Sequence, residues 1–166
     1  MKIFFVLVSI LLFTNDIIKT DSIDGVKIGM SIQEFLKLKK ENRIVKKEKI
    51  SLEGDDYDIY NVYKDKKILY GVEPQCEKEC NVWRIWVYSK DFKTKENIGI
   101  GNKLGDLKKK YTITEFITGE GRVAILVKEI NISFLLDSSR IPDSWWSNQS
   151  LENLNDELKI VMIIIT

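Results

Sequence analysis

The sequence predicts an α+β fold of two tandem helix-plus-antiparallel-sheet units packed together. Three observations carry that expectation. A short stretch occurs twice: residues 26–37 are answered without a gap by residues 98–109, with identity at Ile28/Ile100, Gly29/Gly101 and Lys37/Lys109. Apolar or acidic character is also kept at Val26/Ile98, Ile32/Leu104, Glu34/Asp106 and Phe35/Leu107. Each copy opens on helix signals, and each is followed by short strand-like runs of which the last is strongly apolar. The third observation is size, since 166 residues with 44% apolar content suit one ordinary domain or two small ones sharing a core. The expected organisation is an export leader over 1–22, a first unit over 23–95 and a second over 96–166.

The leader rests on Lys2 followed by an apolar run at 3–13. That run is shorter than the ~20 residues of a membrane span, so no integral span is expected once the leader is removed. Thr20 and Ser22 suit the −3 and −1 positions before a cut, and a cut nearer Thr14 is the rival. The chain is accordingly expected to be exported, either periplasmic or secreted.

In the first unit Ser31 and Glu34 form a capping box, and Ile32, Phe35 and Leu36 give the helix its apolar side. Strands are expected at about 43–52, 56–63, 67–73 and 81–89. Residues 53–56 read as the first hairpin turn and residues 64–66 as the second. The acidic cluster at 53–58 lacks the spacing of a calcium loop. Cys76 and Cys80, the two cysteines, are expected to pair as a structural disulfide in an exported chain. Strict alternation in the run 82–88 would put Trp83, Ile85 and Val87 on one face and Val82, Arg84, Trp86 and Tyr88 on the other.

In the second unit Leu104, Leu107 and Tyr111 give the helix its inward side. Strands are expected at about 112–118, 122–128 and 130–136, with Gly119, Glu120 and Gly121 as a hairpin turn. Residues 138–157 read as a long loop with one helical turn near 151–154, and such loops are often functional. It holds Trp145 and Trp146. The final run, 158–165, is apolar on both faces and is expected to be a central, covered strand.

Val26, Gly29, Met30, Ser31, Glu34 and Phe35, with a helix opening at the serine, resemble the repeat start of small outer-membrane assembly lipoproteins of the BamE type. Two such units in tandem are similar in plan to the β-lactamase inhibitory protein and its relatives. The G-x-P that follows the helix in the assembly lipoproteins is absent here, as is their lipid-carrying cysteine. The resemblance implies a concave, aromatic-studded sheet surface that holds a partner protein. On composition, Arg84, Trp86, Tyr88, Trp145 and Trp146 are the residues expected on that binding surface.

Composition narrows the function classes. The 26 basic and 25 acidic residues leave a formal charge of +1, so nucleic-acid binding is not expected. Histidine is absent, which removes Ser-His-Asp and Cys-His catalysis and His-ligated zinc. Neither a cofactor nor a metal is expected. The leading expectation is an exported, non-enzymatic module that binds another protein, as an inhibitor or an envelope scaffold. The alternative is a small-ligand or glycan module in which Trp145 or Trp146 stacks on the ligand. A carboxylate-dependent hydrolase using Glu53, Asp55 or Asp56 is the third.

Overall fold

The computed structural model describes residues 16–38, 40–52 and 55–166. The apolar run at 3–13, Lys39, Glu53 and Gly54 lie outside the described residues. In chain order the elements are β1 (Asp16–Ile18), β2 (Ser22–Ile23), β3 (Val26–Lys27), α1 (Ile32–Lys37), β4 (Ile44–Leu52), β5 (Asp55–Lys64), β6 (Lys67–Cys76), β7 (Cys80–Val87) and β8 (Phe92–Thr94). They continue with α2 (Leu104–Lys110), β9 (Glu115–Gly119), β10 (Arg122–Val127), β11 (Ile132–Leu136), α3 (Asp143–Ser147) and β12 (Ile160–Ile165).

Eight of the strands form one antiparallel sheet in the order β4-β5-β6-β7-β12-β11-β10-β9. The fold is therefore mainly β with short helices, and the expected α+β pair of helix-plus-sheet units packed together is overturned. The joint explains why. The apolar strands β7 and β12 would each end a smaller sheet with a row of unpaired backbone groups. They pair with each other instead, Val87 opposite Ile163, Trp86 opposite Ile164 and Ile85 opposite Ile165, and the sheet runs on through them.

The two similar stretches dock on these two central strands. Gly29 N donates to Val82 O and Val82 N to Met30 O; Gly101 N donates to Ile160 O and Ile160 N to Asn102 O, each at 2.8 Å. Both glycines adopt positive φ, 81° and 92°, which is why glycine stands at these positions. Each turn then delivers a helix. At α1 the Ser31 hydroxyl accepts from Glu34 N and the Glu34 carboxylate accepts from Ser31 N, the expected capping box. Ile32 and Phe35 go inward, whereas Leu36 stays half exposed because the helix ends after Lys37. At α2 Leu104 and Leu107 are fully buried.

Both helices lie on one face of the sheet, over a core that includes Val72, Ile85, Val87, Val123, Phe134 and Ile163. The short parallel pair β1 and β8 closes the same side, with Ile18 and Phe92 buried in it. Residues 138–157 also belong to this side. Within them residues 151–154 form a single turn in which Leu154 N donates to Leu151 O, while the α-helix is α3, which follows Pro142 at its N-cap. Proline in that place fixes a φ suited to helix entry without costing a hydrogen bond.

Two bulges correct the strand alternation. Between β6 and β7 the register shifts at Glu73 and Pro74, pairing Arg84 and then Val82, so Trp83 is left over. Val82 consequently joins the core, while Trp83 turns out to 42% exposure. On β12 the shift between Leu135 and Leu136 leaves Val161 unpaired and 44% exposed in the same way. β12 is central, as expected. It is covered on one face only: Ile160, Ile163 and Ile165 are buried, while Met162 and Ile164 on the other face are half-buried.

Candidate protein-binding face

The uncovered face of the sheet has two chemically distinct halves. Strands β5, β6 and β7 bring Asn61 and Tyr63, Glu73, and Arg84 and Trp86, with Tyr88 just beyond β7. Strands β12, β11 and β10 bring Ile164, Leu135 and Ala124, all half-buried, and Ile117 of β9 stands 55% exposed beside them. An antiparallel sheet usually turns polar residues to its wet face. Here half of that face is aliphatic.

The polar half is rigidly built around Glu73. Its carboxylate accepts from Arg84 Nη2 at 2.8 Å and from the Trp86 indole nitrogen, Nε1, at 2.8 Å. The Arg84 guanidinium carbon in turn sits 3.9 Å from the centre of the Trp83 ring and 5.4 Å from that of Trp86. An arginine held by a carboxylate and two indoles has little freedom left to lose on binding. Gly71, opposite both Asn61 and Trp86, makes the close packing possible. A Cβ there would come within 2.5 Å of the Ile59 side chain and 2.7 Å of Asn61 Oδ1.

Next to this cluster Glu48 accepts from Asn61 Nδ2 at 2.6 Å and from the Tyr63 hydroxyl at 3.0 Å. Burial, together with the Glu48 carboxylate, pushes the Tyr63 phenol upward. Tyr88 is shifted further, to about 12, by burial first and by the Glu73 carboxylate second. The neutral phenol is the form the fold favours. Its contribution to stability is complete below the unfolded value of 10.0 and is lost as pH rises through about 12. In an alkaline titration followed by tyrosinate absorbance, Tyr88→Phe is expected to delete the step near pH 12 and leave the earlier ones in place. Deletion of a step near pH 10 instead would show that Tyr88 is not shielded.

A groove of about 350 Å³ crosses the middle of this face, floored by Ala124, Leu135 and Ile164 and bordered by Trp86, Arg84, Tyr57, Ile117 and Arg122. Of the five residues expected to form a binding surface, Arg84 and Trp86 line this groove, and Tyr88 lies outside its lining. Trp145 and Trp146 are elsewhere. They sit on α3 on the covered side, where Trp145 belongs to the core and donates its Nε1–H to Ser150 O at 2.9 Å. Its ring packs 5.7 Å from Phe116 and 5.2 Å from Trp146. The aliphatic half escaped sequence reasoning. The available signal was the apolarity of 158–165 on both faces, which reads as a central strand covered on both sides.

Cys76 and Cys80 form the expected disulfide, with S–S 2.05 Å, across the end of the β6–β7 hairpin. Asp55 and Asp56 are exposed neighbours on β5, and adjacent strand residues point to opposite faces, so they do not converge on one substrate. Glu53 lies outside the described residues.

Fold and face together define a class: a mainly β protein whose single eight-stranded sheet is covered by short helices on one side and open on the other. No protein-family model matches the chain, and no curated protein matches it. Among solved structures it is similar to the uncharacterized protein YfeY from Escherichia coli, at 14% identity and a TM-score of 0.60, over 90% of this chain and 98% of that one. At that identity the likeness speaks for the fold alone.

Proposed function

We propose that the chain is an exported, non-enzymatic protein that binds another protein through the open face of its sheet, as an inhibitor or an envelope scaffold. The observation that carries this reading is the uncovered aliphatic half-face lying beside an immobilised Arg84 and Trp86. Contiguous apolar surface with a polar rim marks interaction sites on soluble proteins. Arg84, with 25% of its side chain exposed, is the anchor there, and the buried Trp86 helps hold it in place. Ile117 and Arg122 stand exposed at the border of the groove, within reach of side chains projecting from a partner. Export is supported by the disulfide and by the apolar leader, and among the described residues no helix is long and apolar enough to cross a membrane. The matching backbone bonds of the loops at Gly29 and Gly101 support reading them as one duplicated docking element.

The test is capture of a partner from envelope extract on immobilised protein, followed by purification of that partner and direct binding. Ile117→Asp and Arg122→Glu place charge in the groove at exposed positions, so folding is preserved. Each is expected to weaken the purified pair by roughly tenfold or more, while Lys109→Glu on the covered side leaves it unchanged. Equal affinity for all three variants would remove the open face from the reading. Retention of a small molecule in place of any protein would remove the protein-binding class itself.

A further inference from the structure

We propose that the groove between the Cys76–Cys80 hairpin and the loop at Ile28 and Gly29 is a sugar-binding site, with Trp83 as its stacking platform. This site is separate from the open-face groove and does not depend on it. The bulge in β7 expels Trp83 from the sheet, so the largest side-chain type in the chain is left 42% exposed where strict alternation would have buried it. The ring is nevertheless fixed, because the Arg84 guanidinium lies 3.9 Å from its centre and is itself tied to Glu73. Arg84 does not line the groove, whereas Trp83 does. The groove therefore meets the part of the indole that the guanidinium leaves free.

Ile28, Gly29 and Val82 complete an apolar floor beside the indole, and the polar part of the lining matches the hydroxyls of a sugar ring. Gln75 and Asn81 supply amides that both donate and accept, Glu77 and Glu79 supply carboxylate acceptors, and Lys78 supplies donors. All five are exposed and stand on one short hairpin whose ends are locked by the disulfide. The volume, about 620 Å³, falls within the ~300–1,000 Å³ of small-molecule sites and is more than one small ion needs. A pyranose presents a face of C–H groups that packs on an indole and a rim of hydroxyls that takes up amides and carboxylates. A proline-rich peptide is the other common guest of an exposed indole. Its grooves are lined by several aromatic rings, and here one ring is set among polar groups.

The experiment titrates the mature protein separately with cellotriose, maltotriose, triacetylchitotriose and a proline-rich peptide, following the indole N–H resonances. Trp83→Phe assigns the Trp83 signal by its disappearance. At least one of the three sugars is expected to shift that signal and leave those of Trp86 and Trp145 in place, and the sugar that does so identifies the linkage and substituents preferred. Trp83→Ala is expected to weaken that sugar by roughly tenfold or more, and Asn81→Ala by a smaller factor. Both positions are exposed, so far-UV circular dichroism and the melting temperature should stay native. The proposal is overturned if no sugar moves the Trp83 resonance at tens of millimolar, if the shifts fall on another tryptophan, or if only the peptide binds.

Discussion

Glu73→Leu is expected to lower the unfolding free energy by about 2–4 kcal/mol, measured by denaturant unfolding. The Glu73 side chain is 2% exposed and holds two donors at once, Arg84 Nη2 and Trp86 Nε1. Its removal leaves a guanidinium and an indole N–H unpaired at the centre of the sheet. Breaking a fully buried pair costs about 3–5 kcal/mol. The Arg84 side chain keeps 25% exposure and regains some water, which places the expected loss toward the lower end. Replacing both members separates the charge from the packing. Glu73→Leu/Arg84→Leu should recover part of the loss, because an apolar pair of similar volume costs far less than one orphaned charge. If the single substitution costs less than about 1 kcal/mol, Glu73 is not what holds Arg84 and Trp86 in place. The rigidity of the Arg84 cluster and of Trp83 then falls together, since Trp83 is braced by the same arginine.

Local features of the chain were legible because local physics decides them. The Ser31 and Glu34 capping box needs three residues of helix and nothing else. The positive φ of Gly29 and Gly101 was foreshadowed by their repetition, and the hairpin at Glu120 and Gly121 adopts the positive φ values, 49° and 70°, that its composition invites. The disulfide joins two cysteines only four positions apart, a pairing that sequence proximity makes easy. What was not legible depends on partners remote in sequence. Nothing local in 82–88 or 158–165 says that these runs pair with each other, so one continuous sheet was read as two. Each bulge is likewise a property of a pair of strands. Trp83 therefore went to the wrong face, and its exposure passed unnoticed. Trp145 and Trp146 were misread for a different reason: α3 has five residues, too few for a periodic pattern to emerge from Ser, Asn and Asp. Of the two, Trp145 packs on Phe116 and Trp146 on Trp145.

The N-terminal boundary produces the other large expected effect. A leader ending at residue 22 would remove β1, which pairs in parallel with β8, Asp16 with Phe92, Ile17 with Lys93 and Ile18 with Thr94. Ile18 is 3% exposed in the core, and Lys19 N donates to Ser22 O at 2.9 Å in the turn where such a cut would fall. A chain starting at Ile23 should therefore be less stable than one starting at Asp16 by on the order of 4 kcal/mol. That figure combines about 1.5–3 kcal/mol for burial of one isoleucine with the cost of uncovering Phe92 and losing the β1–β8 ladder. In a protein of this size the loss corresponds to a fall in melting temperature of roughly 8–16 °C. Ile18→Ala in the longer chain should reproduce about half of it. The mass of the protein isolated from its native cells gives the independent check, because any cut that keeps β1 must fall at or before Asp16, close to Thr14. A mature N-terminus at Ile23, with unchanged melting of the shorter chain, would show that the core closes without β1 and that Ile18 is only a cover.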